Sequence, residues 1–193
     1  MHATSRPSPW VQRFAPLLRP GGSVLDVACG SGRHVQWLAE QGFAVTGIDR
    51  DASALAAVEG QAELLVADIE GGPWPLPGRR FDGVVVTNYL WRPLFPQLLA
   101  ALAEGGVYLH ETFADGHQHL GRPSRPDFLL QRGELLQACA GLRIVAFEDG
   151  YEAGPNGGRC VQRIAAVNEA PTAALPARYA LGPTAGPGSR PGS

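Results

Sequence analysis

Residues 23–33, Ser-Val-Leu-Asp-Val-Ala-Cys-Gly-Ser-Gly-Arg, constrain the fold of this chain more than any other stretch. Val24, Leu25 and Val27 form a short apolar run between Pro20-Gly21-Gly22 and a pair of glycines, the pattern of a buried strand. From Gly32 the period changes. Val35, Trp37, Leu38 and Ala39 read as a helix that Gly42 stops. A strand, a glycine loop and a helix in this order let backbone approach a nucleotide-like ligand. Gly30 and Gly32 lack a Cβ, and the helix start offers free N–H groups. Asp26, at the carboxyl end of the strand, adds a fixed negative charge that suits a ligand carrying a cation and suits a pyrophosphate badly.

The spacing narrows the ligand. A dinucleotide fingerprint requires G-x-G-x-x-G, and Val35 stands where the third glycine would be. A second strand through Val45, Gly47 and Ile48 ends at Asp49, where a carboxylate can hold a ribose diol by paired hydrogen bonds. Asp49 could instead cap the following helix, but Asp51 is better placed for that. Leu64, Leu65 and Val66 make a third strand ending at Ala67-Asp68-Ile69. Residues 81–87 make a fourth, followed by Asn88-Tyr89-Leu90-Trp91. In a doubly wound sheet the fourth strand lies beside the first, so this tetrapeptide faces the reactive end of the ligand.

The bulk numbers bound the rest. A chain of 193 residues holds one ordinary domain with a core and not two. Net charge is −2, so nothing electrostatic pulls nucleic acid or an anionic membrane to it. No apolar run is long enough for a membrane span or a signal peptide, which predicts a soluble, cytoplasmic protein. Cys29, Cys139 and Cys160 are odd in number and lack C-x-x-C spacing, which fits a reducing compartment better than a disulfide scaffold or a zinc site. The chain has no lysine, which removes Walker-type nucleotidases and Schiff-base enzymes.

Residues 1–7 read as a frayed start, 8–168 as the domain, and 169–193 as an Ala/Pro/Gly-rich tail that cannot bury enough to order itself. Ser8-Pro9 opens a helix with Trp10, Val11, Phe14, Leu17 and Leu18 on one face. A helix over 96–103 leads into a fifth strand over 107–112, and the irregular stretch 113–127 after it is a candidate substrate lid. A helix begins near Gly133-Glu134. The last strands, 144–148 and 160–167, are joined through Asn156-Gly157 as a hairpin. The fold class expected is α/β: a Rossmann-like, doubly wound seven-stranded sheet, mostly parallel, with an antiparallel hairpin at its C-terminal edge.

The run from Leu25 to Gly32, then Gly47-Ile48-Asp49, Ala67-Asp68-Ile69 and 81–86, resembles the successive motifs of class I S-adenosylmethionine-dependent methyltransferases. Glu111-Thr112-Phe113, with 125–130 and Gly133-Glu134-Leu135-Leu136, is similar to small bacterial methyltransferases of the tellurite-resistance (TehB-like) type, which admits tellurite as one acceptor. The resemblance implies S-adenosylmethionine as cofactor, leaving as S-adenosylhomocysteine. It would be held by Asp26, Ala28, Gly30, Gly32, Asp49, Arg50, Asp68, Ile69, Asn88, Tyr89 and Leu90, with Asp68 accepting from the adenine amino group and Ile69 packing on the ring. It also implies that the first helix lies over the cofactor cleft. Nucleic-acid amino-methyltransferases carry Pro-Pro-aromatic where this chain has Asn88-Tyr89-Leu90, so base methylation is disfavoured.

The expected reaction is methyl transfer to an N, O or S nucleophile of a small molecule, driven mainly by proximity and in-line orientation. The protein would work as a monomer or homodimer. If a base is used, the candidates are Glu111, Tyr89 and His110; Glu111 is preferred because it lies nearer the end of its strand, and His110 and Glu111 alternate in direction. Arg92, His117, Arg122 and Arg125 are candidates for holding substrate, guanidinium forks being suited to oxyanions. His110, His117 and His119 with Glu111 and Asp115 have metal-ligand chemistry, but a strand and a loop are a poor ligand frame, so no metal is expected. Two rivals stay open: an NAD(P)-dependent oxidoreductase on a similar sheet, and a non-catalytic S-adenosylmethionine-binding module.

Overall fold

The computed structural model describes residues 6–154, 157–170 and 177–181. Most of the expected frayed start and most of the expected tail lie outside these residues. Seven strands, β1 (Ser23–Val27), β2 (Ala44–Asp49), β3 (Glu63–Val66), β4 (Phe81–Thr87), β5 (Leu102–Phe113), β6 (Arg143–Glu152) and β7 (Arg159–Val167), form one sheet in the order β3-β2-β1-β4-β5-β7-β6. β1 to β5 are parallel, and β7 runs antiparallel between β5 and β6. The strand order reverses between β1 and β4, which opens a crevice at their carboxyl ends. This is the expected sheet, with the hairpin at the expected edge.

Alternation along the central strands supplies two cores. Leu25, Val27, Val84 and Val86 point to one face, where α4 (Phe95–Ala100) contributes Leu98 and α5 (Glu134–Ala138) contributes Leu135. Val24, Val85, Val107 and Leu109 point to the other. There they meet Trp10 and Phe14 of α1 (Pro9–Phe14), Val35 and Leu38 of α2 (Arg33–Glu40) and Leu55 of α3 (Ala52–Leu55). Ser8 caps α1, its hydroxyl accepting from the Trp10 N–H at 3.1 Å, with Pro9 in the first turn. Asp51 caps α3 through the Ser53 and Ala54 N–H groups.

Three boundaries differ from expectation. The fourth helix ends at Ala100 and β5 begins at Leu102, not 107, because Leu102 already pairs with Phe81. Glu104-Gly105-Gly106, a run with turn chemistry, is then absorbed as an irregularity within the strand, with Gly105 at φ 76°. β6 continues through Asp149-Gly150 to Glu152, since its pairing with β7 runs on to Arg159. The first helix gives way after Phe14 to a 3₁₀ turn over Ala15–Leu17, which contains Pro16. Near the C-terminus, Tyr179 packs on the second core and donates to Glu169 at 2.9 Å. No helix among the described residues is long and apolar enough to cross a membrane.

Candidate active site

The carboxyl ends of the first four strands surround a cavity of about 530 Å³. The β1 loop gives it Ala28; β2 gives Asp49 and Arg50; the segment after β3 gives Ala67, Asp68, Ile69 and Glu70; β4 gives Tyr89. Asp49 is held at both oxygens: Oδ2 accepts from the Gly30 N–H at 2.7 Å and Oδ1 from the Asp51 N–H at 2.9 Å. Each oxygen keeps a lone pair for another donor. The carboxylate therefore braces the glycine loop and still presents itself to the cavity, and helix capping falls to Asp51. Asp68 turns its Oδ1 back onto the N–H groups of Glu70 and Gly71, at 3.0 and 3.1 Å. The Gly71 and Glu70 donors hold its carboxyl below the usual carboxylate range, so it stands as an acceptor at neutral pH.

Asp26 is placed differently from expectation. It is 1% exposed, lies behind the loop and does not line the cavity. Among the described residues neither of its oxygens has a hydrogen-bond partner of normal geometry. Burial pushes its carboxyl up to about 8, with the Arg33 guanidinium opposing and Asp49 adding to the rise. Two of the three strand-end acids thus line one cavity, and the third is buried beside it.

The glycines also divide their roles. Gly30, at φ 55°, has nothing within 4 Å of where a Cβ would stand, so its freedom serves the turn and leaves the loop surface open. At Gly32, a Cβ would meet Val58 Cγ2 at 2.5 Å, so packing within the protein, not ligand approach, requires glycine there. Ala28 and Asn88 adopt left-handed φ of 53° and 54°, rare for residues with a Cβ.

A second cavity, of about 610 Å³, adjoins the first and shares Glu70 and Tyr89 with it. Asn88 and Leu90 follow β4, Thr112 and Phe113 end β5, and Pro123 and Phe128 come from the following loop. Tyr89 is half-buried, and its hydroxyl has no hydrogen-bond partner of normal geometry. Burial, with the Glu70 carboxylate next, raises its phenol, which stays protonated.

His110 and Glu111 line neither cavity. His110 is buried between the Tyr108 hydroxyl at Nδ1 (2.8 Å) and the Tyr89 carbonyl at Nε2 (3.1 Å). A carbonyl only accepts, so Nε2 carries the proton; burial pushes the ring down to about 4 and keeps it neutral. Glu111 points to the opposite face of the sheet, where its carboxylate pairs with Arg163 Nε at 2.7 Å and accepts from the Ser8 hydroxyl at 3.0 Å. Both side chains are spent on structure because strand alternation sends each into a core.

The basic candidates are similarly engaged. Arg92 forks onto Glu134 at 2.6 and 2.9 Å and also donates to the carbonyls of Asp127 and Leu129. His117 is buried, stacked on Phe113 with ring centres 4.4 Å apart, and bonds the Arg122 carbonyl. Arg125 pairs with Asp127 and lies 5.2 Å over the Phe128 ring. Arg122 is exposed and outside the cavity wall. These residues build the loop that carries Pro123 and Phe128 and do not line the cavity themselves. Among the described residues no group of three or more His, Cys, Asp or Glu side chains is arranged to hold a metal ion. Phe113 and Pro123 fall in the stretch expected as a substrate lid, whereas Glu70, Thr112 and Phe128 escaped sequence reasoning as site residues; the signal within reach for Glu70 and Thr112 was their position after β3 and at the end of β5, beside the same crevice.

Residues 24–106, from β1 into β5, match the family described as a methyltransferase domain. Ribosomal RNA small subunit methyltransferase H of Synechocystis is 35% identical over 96 residues, covering 44% of this chain and 31% of that protein. This chain spans less than half the length of the curated relatives it matches, 31 to 44%. TehB from Haemophilus influenzae superposes with a TM-score of 0.67 at 18% identity, covering 80% of this chain and 60% of that one. The glycopeptide N-methyltransferase MtfA, solved with S-adenosylhomocysteine, gives 0.57 at 19% identity over 80% of this chain and 86% of that one. Similar in sequence to a methyltransferase domain over the residues that wall the first cavity, and in shape over four-fifths of its length to TehB, the chain has the fold seen in TehB.

Proposed function

We propose that this protein is a cytoplasmic methyltransferase of the small bacterial type, transferring a methyl group from S-adenosylmethionine to a small-molecule acceptor. The observation that carries the reading is the pair of adjoining cavities meeting at Tyr89 and Glu70, one walled by backbone loops and carboxylates, the other by apolar side chains. The residues present fit the cofactor. Asp49 has lone pairs for a diol, Asp68 is an ionised acceptor beside the flat apolar surface of Ile69, and Gly30 leaves the loop open. Arg50, Ala28 and Tyr89 complete this wall, with Asn88 and Leu90 across it toward the acceptor. A negative lining suits a sulfonium nucleoside and opposes the pyrophosphate of a dinucleotide.

When bound, S-adenosylmethionine supplies an already activated methyl group. The chain's own residues then need only hold a nucleophile in line and exclude water, and good positioning is worth roughly 7–11 kcal/mol. Leu90, Phe113 and the partly exposed Phe128 form the apolar wall for this, and His110 fixes the Tyr89 backbone between the two cavities. A small acceptor is favoured over RNA because net charge is −2 and Arg92 and Arg125, near the second cavity, are paired with Glu134 and Asp127. Free thiols at Cys29, Cys139 and Cys160 support a reducing compartment. The test is transfer of isotope from methyl-labelled S-adenosylmethionine to a panel of small amines, phenols and thiols. Labelled product is expected from at least one class, and an exhaustive panel with none, beside intact cofactor binding, would favour the non-catalytic module.

A further inference from the structure

Resting on that reading, we infer that the acceptor is an amine borne on an apolar or aromatic body, recognised as its ammonium by Glu70 and seated against Phe113 and Phe128. Among the described residues Glu70 is the one carboxylate in the wall of the second cavity, and it stands where that cavity meets the first. Among the described residues no arginine lines the cavity. Arg92 and Arg125 pair with Glu134 and Asp127, and Arg122, beside the lining residue Pro123, is exposed and outside the wall. An oxyanion such as tellurite or a carboxylate would meet the Glu70 charge with no cation in the same cavity wall, Arg50 lying in the first cavity beside Asp49 and Asp68, whereas an ammonium would gain from it. The rest of the wall, Leu90, Phe113, Pro123 and Phe128, fits an apolar body. Phe128 already carries the Arg125 guanidinium 5.2 Å from its ring centre, so its faces sit in a cation-accepting setting.

The placement also serves the chemistry. The bound ammonium gives up one proton through Glu70 to solvent, and the freed nitrogen lone pair forms the new N–C bond. Sulfur keeps the electron pair of the broken S–C bond, and the product leaves as a methylated ammonium. A carboxylate at the mouth between the cavities both draws the cation in and takes the proton off.

The test is calorimetric titration of 2-phenylethylamine and, as a matched anion, 3-phenylpropionate, into the protein with and without S-adenosylhomocysteine. The amine is expected to bind at least tenfold more tightly than the anion. Glu70→Gln is expected to erase that preference, and Phe128→Ala to weaken the amine several-fold with S-adenosylhomocysteine affinity unchanged. Tighter binding of 3-phenylpropionate or of tellurite, or an amine affinity indifferent to Glu70→Gln, would overturn the inference. Loss of S-adenosylhomocysteine binding in the unaltered protein would instead sink the parent reading, because the amine-against-anion ranking is scored in its absence as well.

Discussion

Ala28 sits at φ 53° in the wall of the first cavity, in a conformation that glycine adopts without cost. Replacing it with glycine is expected to raise stability by about 0.5–1 kcal/mol, read as a shift in the denaturation midpoint. A loss of stability would mean that the Ala28 methyl packs more favourably than its backbone strain costs. Asp26 makes a sharper case. Its folded carboxyl stands at about 8, above the value of 3.8 for a free side chain. A raised value means that its contribution is fully present below about pH 4 and is lost as pH rises through 8. Asp26→Asn is therefore expected to stabilise the protein at pH 8, on the order of 2 kcal/mol, and to change little at pH 4. Equal effects at both ends would show that Asp26 is ionised in the fold. The buried histidines act in the opposite sense. His110 falls to about 4 and His34, which accepts from the Ser8 N–H, to about 3. A lowered histidine favours the fold above about pH 6.5 and loses that contribution as pH drops toward 4, so stability is expected to decline on the acid side as well. At this scale the sequence told which strand ends carry acids, because Asp49 and Asp68 follow apolar runs directly. It did not tell that Asp26 is sealed behind the loop or that Glu111 is paired with Arg163, since both depend on what packs across from them.

Among the elements, the segment after β5 depends on one guanidinium. Arg92, in a 3₁₀ turn before α4, reaches Glu134 at the start of α5 and two carbonyls in between. Arg92→Ala is expected to cost about 1–3 kcal/mol, as loss of a partly buried charge-assisted fork does, and to speed proteolysis within 113–133. S-adenosylhomocysteine affinity should stay within about twofold, because Arg92 does not line the first cavity. A comparable loss of cofactor affinity would mean that the two cavities are not independent. Sequence patterning located this segment as irregular and charged, and read Arg92, Arg122 and Arg125 as candidates for holding substrate. Arg125 finds Asp127 two residues on, but Arg92, before the segment, meets Glu134, beyond it, only in the folded chain. The misplaced start of β5 has a comparable origin. Glu104-Gly105-Gly106 has turn chemistry, and pairing of Leu102 with Phe81 overrides it.

Across the whole molecule the topology was legible because it rests on short-range signals repeated in order: apolar runs, strand-end acids, glycines and helical faces. The edge hairpin was legible for the same reason, although the length of β6 was hidden by Asp149-Gly150, which reads as a turn and is carried within a paired strand. What ties these levels together is the claim that Asp49, held at once by the β1 loop and by its own strand end, grips a sulfonium nucleoside at the switch point of the sheet. Titration calorimetry of S-adenosylhomocysteine into the intact protein and into Asp49→Ala tests it most directly. One site is expected in the intact protein, with affinity at least tenfold weaker in the variant while the far-ultraviolet spectrum is unchanged. Binding of NADH in place of S-adenosylhomocysteine, or an affinity untouched by the substitution, would contradict it.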